Sequence, residues 1–437
     1  MALPQPYEPD IRALLERVAA PLRTPQDLDP LLDAIGDARF VLIGEASHGT
    51  AEFYLWRIRL SQRLIREKEF SFVAVEGDWP DCYQVNRYVK GYPDAGNSAR
   101  EVLHAFARWP TWMWANWEVT AFCEWLHRYN VEHQASVGFY GLDVYSLWES
   151  MEHIIHYLEE HDPEAIPLAK AAYRCFEPYG ESEQAYAYST RMVGENCREE
   201  VVNLLRELRK RVRSYDHDRE LSFSTEQNAL VMVDAERYYR TMIQSDASSW
   251  NIRDEHMTDT LERLMHLHGL GSKAIVWAHN THIGDARATD MARHGMVNIG
   301  QLVRQRHGED ETMLVGFSTH HGQVIAGREW GAPMERMNVP PASRTSWDAT
   351  LHESDPLDTL YLLRDLPHTA ETARQYSQRA IGVVYDPAYE QFGNYVPTVL
   401  PARYDALMHI ESTGALHPLH WPHPEEAGTP DTYPWGV

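Results

Sequence analysis

Short apolar runs recur along this chain, and several of them end on polar residues. They are too short for helices and almost continuously apolar, which is typical of strands covered on both faces. The runs are RFVLIGE (39–45), FSFVAVEGD (70–78), SVGFYGLD (136–143), SKAIVWAHN (272–280), ETMLVGFST (311–319), AIGVVY (380–385) and DALMHIE (405–411). Amphipathic stretches lie between several runs, and one of them can be capped by Thr50 and continue to about Glu69. This alternation predicts an α/β fold with a largely parallel central sheet and flanking helices.

The segment 147–270 interrupts this alternation, because it is rich in Glu, Arg, Ala and Leu and poor in strand signals. We expect it to be a long helical insertion within one elaborated α/β domain that spans residues 1–437. Such an insertion could serve as a lid, although its alternating charges are equally typical of a solvated helical bundle. The end of the chain, 414–437, is rich in proline and histidine and predicts an extended or loosely packed tail.

Charge and hydropathy narrow the range of partners. The 437 residues include 64 acidic and 40 basic ones, which gives a net charge of −24 with histidine neutral. This charge repels phosphate backbones and anionic lipid, so neither nucleic acid nor a membrane is an expected partner. No run of about 18 apolar residues occurs, and the N-terminus lacks the basic and apolar regions of a signal peptide. These features do not specify an oligomeric state.

The cysteines indicate the compartment. None of the four belongs to a CxxC pair; they are Cys82, Cys123, Cys175 and Cys197. We therefore expect neither a thiolate zinc site nor a disulfide framework, and a reducing cytoplasm fits this pattern.

Titratable side chains stand at the ends of the first four predicted strands. In chain order they are Glu45, His48, Glu76, Asp78, Asp143, His279 and His282. Because ligands bind beyond the carboxyl ends of parallel strands, these side chains are expected to converge. Converging carboxylates and imidazoles are what general acid/base hydrolysis needs. The simpler alternatives are that Asp78 and Asp143 cap the following helices and that a loop histidine is structural.

Two further features extend this candidate site. Arg57 lies two helical turns past Thr50, and its side chain could lean back toward Glu45 or Glu76 or hold a substrate oxygen; the alternative is an ordinary surface arginine. The segment RWPTWMWANWEV (108–119) is rich in tryptophan. Trp112 and Trp114 could bind a bulky apolar ligand, although such clusters are more often core.

Several familiar catalytic signatures are missing from the sequence. No G-x-S-x-G nucleophile elbow, H-E-x-x-H zinc motif, P-loop or G-x-G-x-x-G dinucleotide loop occurs. A serine-nucleophile hydrolase and a nucleotide cofactor are therefore not indicated.

Five stretches together resemble the erythromycin esterase family. They are LIGEASHGTAEFYLWR, FVAVEGDW, YGLDVY, NIRDEHM and WAHNTHIGDA. The likeness runs in order from about residue 36 to the stretch 403–419, and the G-E-x-x-H-G block followed by H-N-x-H is specific to the family. The chain is also similar to a wider group that includes haem-binding lipoproteins and metal-dependent peptidases, and some family members are named for succinoglycan biosynthesis.

The resemblance implies hydrolysis of a macrolide lactone by activated water, without a covalent enzyme intermediate. It implies His48 as the general base and a supporting role for Arg253 and Asp254 in NIRDEHM. The other polar site residues that it implies are Glu45, Arg57, Glu76, His279 and His282. It also implies antibiotic resistance as a biological role and a small-molecule ester or lactone as the partner.

The mechanism that follows is a hypothesis with two rivals. His48 would accept a proton from water while Glu76 or Glu45 orients its ring, and Arg57, His279 or His282 would stabilise the oxyanion. No cofactor is expected in that case. In the first rival, the same Glu/His cluster holds a divalent metal that activates the water for hydrolysis of an ester or amide. In the second, the protein is a non-catalytic binder of haem or another small ligand.

Overall fold

The computed structural model describes residues 10–179, 186–190, 196–212, 218–242 and 246–421. A nine-stranded sheet runs through this part of the chain, and a separate two-stranded sheet pairs β9 with β10. The strands are β1 (Ala19–Pro21), β2 (Phe40–Ile43), β3 (Phe72–Asp78), β4 (Gly138–Asp143), β5 (Ala274–Trp277), β6 (Thr312–Ala326), β7 (Glu335–Val339), β8 (Thr359–Tyr361), β9 (Tyr376–Arg379), β10 (Tyr395–Thr398) and β11 (Ala406–Thr413).

The middle of the sheet is parallel, as predicted. The strand order is β1-β8-β11-β6-β2-β5-β3-β4, and β7 pairs with the end of β6. All five pairings from β11 across to β4 are parallel, whereas β1, β8 and β7 join antiparallel. Trp277 is in register with both Ile43 and Val75, so β2 and β5 end at the same level, whereas β3 continues to Asp78.

One predicted strand is wrong. The run 380–385 forms only isolated bridges, from Ile381 to Ser47 and from Val384 to Gly327. Its backbone hydrogen bonds go to two separate segments: the N–H of Ile381 donates to the carbonyl oxygen of Ala46, and the N–H of Tyr385 donates to that of Gly327. A continuous ladder therefore does not form, although the residues are apolar.

Helices cover both faces of the sheet. They are α1 (Ile11–Leu15), α2 (Asp29–Ile35), α3 (Ala51–Lys68), α4 (Trp79–Val89), α5 (Ala99–His104), α6 (Trp117–His133), α7 (Leu147–His161), α8 (Ile166–Phe176), α9 (Arg198–Val212), α10 (Arg219–Met242), α11 (Asp246–His268), α12 (Asn280–Ile283), α13 (Ile299–His307), α14 (Trp347–Ser354), α15 (Glu390–Gly393) and α16 (Leu400–Arg403). Residues 186–190 are also helical. None of the helices in the described ranges combines the length and apolar character needed to cross a bilayer.

Alternation along the strands explains why both faces are covered. In β2, Val41 and Ile43 join one apolar core while Phe40 and Leu42 join the other. Successive side chains of a strand point to opposite faces, so a strand that is apolar throughout needs a core on each side.

Helix α3 carries the chain away from the end of β2. It is amphipathic, as predicted, and the residues of its apolar stripe are all buried: Phe53, Trp56, Leu60 and Leu64. Thr50 holds the N-cap position but makes no capping bond with its side chain. Its hydroxyl instead lies against that of Ser47, which ties the start of the helix to the strand-end loop.

The described residues between β4 and β5 contain helices and no strand. These helices have an apolar core of their own, which includes Met151, Leu204 and Met232. Helix α11 then leads back to the sheet and contacts β4. The described residues between 147 and 268 are therefore mainly helical; the bounds of the insertion and its role as a lid stay predictions.

The absence of disulfides predicted from the sequence is wrong for one pair. Cys175 in α8 is bonded to Cys197, just before α9, with the two Cα atoms 5.7 Å apart. The partners are 22 residues apart in sequence, and only the packing of these helices brings them together. Cys82 and Cys123 are buried free thiols. The cytoplasmic location stays a prediction, and the free cysteines that supported it are two rather than four.

The first part of the predicted tail is packed rather than loose. Leu416 and Leu419 are buried, and Ala415 and Pro418 form bridges to Thr50 and Asn116. The remainder, 422–437, lies outside the described residues, as do residues 1–9, where the signal peptide was sought.

Candidate active site

Four strand ends and one helix of the insertion deliver side chains to a single site. The predicted convergence is seen directly, since His48, Glu76 and His279 lie together at the carboxyl ends of β2, β3 and β5. At Gly49 the backbone of the loop after β2 lies directly against the backbone of β6, because a Cβ at this position would be 1.9 Å from the carbonyl oxygen of Ile325. The loop 44–50 can therefore lie flat against β6 only with glycine at that position.

His48 is held by a buried ion-pair network. Its Nδ1 lies 2.8 Å from Glu45 Oε1, and Glu45 Oε2 lies 3.0 Å from Arg57 Nη1. Arg57 is fully buried and also donates to the carbonyl oxygens of Gly44 and Ala278, at 2.8 Å each. Arg57 therefore positions Glu45, and the predicted contact between Arg57 and a substrate oxygen is not available to it.

Glu76 receives donors on both carboxylate oxygens. Arg253 Nη2 donates to Glu76 Oε1 at 2.7 Å, and the backbone N–H of His279 donates to Oε2 at 2.8 Å. Burial raises the pKa of Glu76, but the neighbouring His282, Arg253 and His48 outweigh this and hold it well below its usual value. Glu76 is therefore an ionised carboxylate in the folded protein.

Arg253 is the cation at the centre of the acids. Its guanidinium donates to both oxygens of Asp143, at 2.9 and 2.6 Å, as well as to Glu76. Asp143 also accepts the backbone N–H of Val144 at 2.8 Å. A positively charged group of the chain thus stands between the carboxylates that could otherwise surround a divalent metal ion.

His282 has a carboxylate of its own. Its Nδ1 lies 2.9 Å from Asp254 Oδ1, and its ring stacks on Trp250 with centroids 4.6 Å apart. Its Nε2 lies 3.1 Å from Arg253 Nη1 and 3.4 Å from Glu76 Oε1. Burial lowers the pKa of His282, but Asp254 and Glu76 more than offset this and raise it to about 9. At neutral pH this value corresponds to an imidazolium, which can donate its Nε2 proton to Glu76 Oε1 but cannot accept a hydrogen bond from Arg253.

His279 is held in the opposite state. Its Nδ1 accepts the backbone N–H of Thr281 at 3.3 Å and lies 2.8 Å from the Thr281 hydroxyl. Burial, together with the neighbouring His48, lowers its pKa well below the usual value. The neutral ring then carries its proton on Nε2, which has no hydrogen-bond partner within the part of the chain described. The His279 and His48 ring centroids are 4.8 Å apart.

A pocket of about 130 Å³ opens over part of this network. The predicted site residues that line it are His48, Glu76, Asp78, Asp143 and Trp114, whereas Glu45, Arg57, His279 and His282 do not. The substrate contacts of Asp78, Asp143 and Trp114 stay predictions. The other predicted tryptophan, Trp112, is only 1% exposed and packs edge-on against Trp109. The substrate contact predicted for Trp112 is therefore wrong, because its ring supports Trp109 from within the core.

Asp78 differs from the other acids of the pocket. Burial raises its pKa to about 8, despite Arg108, whose Nε lies 3.7 Å from Asp78 Oδ2. Asp78 is at the N-cap position of α4 but makes no capping bond with its side chain. At neutral pH it is a mostly neutral acid facing the pocket.

A larger cavity of about 620 Å³ adjoins the pocket and shares part of its lining. The shared residues are Arg108, Trp109, Tyr145 and Trp330. The insertion contributes further aromatic side chains, which are Trp148, Tyr238 and Tyr239. Trp330 is 61% exposed at this opening, so wide aromatic surface is presented beside the acids and imidazoles.

Sequence reasoning missed the most connected residue of the site. Arg253 received only a supporting role from the resemblance, yet it contacts Glu76, Asp143 and His282. Its helix lies inside the insertion, and nothing local in the sequence indicates that α11 returns to the sheet edge. Tyr145 and Trp330 were also missed, because both lie outside the tryptophan-rich segment 108–119 to which Trp109 belongs.

The fold and site together define a class: a parallel α/β protein equipped for acid/base chemistry at the carboxyl ends of its strands. The chain belongs to the erythromycin esterase family, because the family model described as erythromycin esterase matches residues 65–413. That range includes Glu76, Arg253 and His282 and begins after Glu45, His48 and Arg57. Membership of this family supports an ester hydrolase.

Individual relatives are distant. The chain is 24% identical over 327 residues to erythromycin esterase type II of Escherichia coli, which covers 69% of this chain and 73% of that protein. Among solved structures, a succinoglycan biosynthesis protein superposes with a TM-score of 0.76 at 23% identity, covering 93% of this chain and 97% of the other. A Bacillus cereus protein gives 0.77 at 21%, covering 93% and 98%.

A third solved structure is a histidine-to-asparagine mutant of an erythromycin esterase in its open conformation. It superposes with a TM-score of 0.66 at 17% identity, covering 90% of this chain and 95% of that one. At these identities the structural likenesses establish the fold.

Proposed function

We propose that this protein hydrolyses a carboxylic ester with water activated by His48, without a covalent enzyme intermediate. The observation that carries the proposal is the 2.8 Å contact between Glu45 and His48 Nδ1, with the opposite ring nitrogen facing Glu76 in the pocket. A buried carboxylate on one side of an imidazole fixes its tautomer and leaves the other nitrogen as a base.

Glu45, rather than Glu76, orients the base. In this assignment His48 donates its Nδ1 proton to Glu45, whose other oxygen lies 3.0 Å from Arg57 Nη1. His48 Nε2 is then a proton acceptor, and it lies 4.0 Å from Glu76 Oε1. That separation allows one water molecule to contact both atoms, so Glu76 helps to orient the water that His48 deprotonates.

Charge that develops on the ester oxygen is stabilised by Arg253, which lines the pocket and remains cationic beside Asp143 and Glu76. His279, whose Nε2 proton has no hydrogen-bond partner among the described residues, lies beside His48 but does not line the pocket. Such donors are most effective when they are fixed in place before reaction, away from bulk water. The protonated His48 then returns its proton to the leaving alkoxide.

The substrate that we propose is a small-molecule ester, with a macrolide lactone as the first candidate. The name of the Escherichia coli relative supports this choice. The aromatic cavity beside the pocket also supports it, because small-molecule sites are typically about 300–1,000 Å³ and mostly apolar. Macrolide resistance in the cytoplasm would then be the biological role, and no metal would be needed.

The test is incubation of the protein with macrolides of different ring size and with simpler lactones and esters. Products are examined by mass spectrometry for the gain of one water. We expect hydrolysis of at least one lactone, retained after exhaustive chelation and in the control variant His161→Asn, and lost in His48→Asn. His161 is a surface histidine of the insertion, 43% exposed. Failure to hydrolyse any compound overturns the proposal, and loss of activity on chelation overturns its metal-free form.

A single turnover in heavy-oxygen water tests the direct attack. With enzyme in excess, attack by water places the heavy oxygen in the product acid of the first turnover. Attack by the Glu76 carboxylate, followed by hydrolysis at the enzyme carbonyl, would instead leave the label in the protein.

A further inference from the structure

A second group of histidines lies on strands that the proposed reaction does not use. His320 and His321 are in β6, Glu411 is in the neighbouring parallel strand β11, and His352 is in α14. The β6–β11 register pairs Thr319 with Ile410 and His321 with Ser412, which sets Glu411 opposite His320. We call His320, His321, His352 and Glu411 the histidine cluster.

The donor atoms of the histidine cluster are close together. One ligand atom from each of His320, His321 and Glu411 lies within 4.8 Å of the others. His321 Nδ1 is 3.9 Å from Glu411 Oε1, and His352 Nδ1 is 2.8 Å from the same oxygen. The rings of His320 and His352 stack with centroids 3.8 Å apart. Two separate elements, β6 and α14, thus direct imidazoles toward one carboxylate of β11.

Three ring nitrogens of the cluster are shielded from solvent and have no hydrogen-bond partner among the residues that the structure describes: Nδ1 of His320, His321 and His352. That of His352 still lies 2.8 Å from Glu411 Oε1. Shielded polar atoms without a partner are rare in folded proteins and call for an explanation. The carboxylate is not free to move away, because His409 Nε2 also lies 3.4 Å from Glu411 Oε2.

The cluster is open to an incoming ion. The side chains of His321 and His352 are 43% and 34% exposed, whereas Glu411 is 18% exposed. A cation could therefore reach the cluster from solvent, and one coordination position of the bound ion would stay open to solvent. The strongly acidic chain, with a net charge of −24, also favours the approach of cations.

We propose that His320, His321 and Glu411 bind one divalent cation of the zinc class, with His352 available as a fourth ligand. Imidazole nitrogen and carboxylate oxygen are the donors that Zn²⁺ takes at about 2.0–2.2 Å. Two such donors on a tetrahedral ion lie roughly 3.3 Å apart. Small side-chain rotations would bring the donor atoms of His320, His321 and Glu411, now within 4.8 Å of one another, to that separation. The imidazoles disfavour Ca²⁺ and Mg²⁺, which prefer all-oxygen sites. The ion would join β6, β11 and α14.

The experiment uses the full-length protein without an affinity tag, because a histidine tag would itself bind the metal. The protein is stripped with a chelator, dialysed and titrated with Zn²⁺ by calorimetry, and with Co²⁺ by visible absorption. We expect one saturable Zn²⁺ site and a cobalt spectrum typical of nitrogen and oxygen ligands. The thermal midpoint should rise with Zn²⁺, since a ligand that binds only the folded state stabilises it.

Variants identify the ligands. His321→Ala and Glu411→Gln should each weaken Zn²⁺ binding at least about tenfold, because even partners outside the coordination shell contribute about 10–100-fold. His161→Ala is the matched control: His161 is also 43% exposed, and its Nε2 lies 3.8 Å from Glu160 Oε2. It should bind Zn²⁺ like the wild type. Because His321 is at the surface, its variant should fold; circular dichroism checks this.

Three outcomes would overturn the proposal. They are no saturable Zn²⁺ binding, unchanged binding in both cluster variants, and an equal loss of binding in His161→Ala. All of them are independent of ester hydrolysis, so the proposed function can fail while this site stands, and the reverse also holds.

Discussion

The catalytic pocket and the histidine cluster use the same side-chain types at the same edge of one sheet, but they arrange them differently. In the pocket, each of two histidines has a carboxylate of its own: His48 has Glu45, and His282 has Asp254. In the cluster, several rings share the single carboxylate of Glu411. The pocket rings are also buried, with side-chain exposures of 8% and 3%, whereas His321 is 43% exposed.

This difference separates two kinds of chemistry. A dedicated acid fixes the tautomer and charge of an imidazole, which proton transfer requires. Rings without such partners keep nitrogen lone pairs available for a cation, and solvent exposure gives the cation a route in. A histidine with a carboxylate neighbour is therefore not informative by itself; the informative feature is whether the ring has a second carboxylate that no other ring contacts, as His48 has Glu45 and His282 has Asp254.

We expect the largest effect on rate from replacing the proposed base, His48. His48→Asn removes the acceptor nitrogen, and we expect kcat/KM for the hydrolysed ester to fall about 10²- to 10⁴-fold. Zn²⁺ binding at the histidine cluster should remain unchanged in the same variant, because the two groups share no side chain. Steady-state kinetics and calorimetry measure the two quantities. Full activity in His48→Asn would show that the pocket histidine is not the base.

The acid behind the base gives the next largest effect, on stability as well as on rate. Glu45→Gln leaves the buried guanidinium of Arg57 without its counter-ion, and removing one member of a buried ion pair costs about 3–5 kcal/mol of unfolding free energy. Urea denaturation measures this. The control is Asp259→Asn, which breaks the surface pair with Arg306, 2.8 Å apart; it should cost less than about 1 kcal/mol. Equal costs for the two variants would contradict the role given to Glu45.

The charge on His282 predicts how stability depends on pH. Its folded pKa of about 9 lies above its ordinary value of 6.5, so the protonated ring stabilises the fold fully below pH 6.5. This contribution disappears as the pH rises through 9. At about 1.4 kcal/mol per unit, it amounts to about 3 kcal/mol.

Unfolding free energies of the wild type and His282→Gln should therefore converge between pH 6.5 and 10. Taking the difference between the two proteins removes the contribution of lysines and tyrosines that titrate in the same range. A difference that is constant with pH would mean that His282 is not held as an imidazolium.

The strand ends could be predicted from sequence because burial on both faces leaves a strong apolar pattern, and the polar residue that ends it is conspicuous. Glu45, His48 and Glu76 were found in this way. Arg253 could not be, because it comes from a helix whose path back to the sheet depends on packing within the insertion. The disulfide between Cys175 and Cys197 was missed for the same reason.

The histidine cluster escaped prediction for a different reason. The predicted strand ends at residue 319, whereas β6 continues to Ala326. Residues 320–323 are half-buried or exposed and not apolar, so they interrupt the pattern of a buried strand before it resumes at Val324. Long-range pairing with β11 and β7 keeps them in the sheet, and no local signal reports that pairing.

The smallest effect on rate concerns Asp78, where environment rather than sequence sets the charge. Because burial raises its pKa to about 8, the side chain is mostly protonated at pH 7, and Asp78→Asn should change the rate little. A carboxyl with a raised pKa loses stability as pH rises from its unfolded value near 3.8 to 8. The variant should therefore become more stable than the wild type across that window, as thermal melts would measure. A large loss of rate at pH 7 would instead mean that Asp78 acts as a carboxylate, which would make it a third acid with a dedicated role in the pocket.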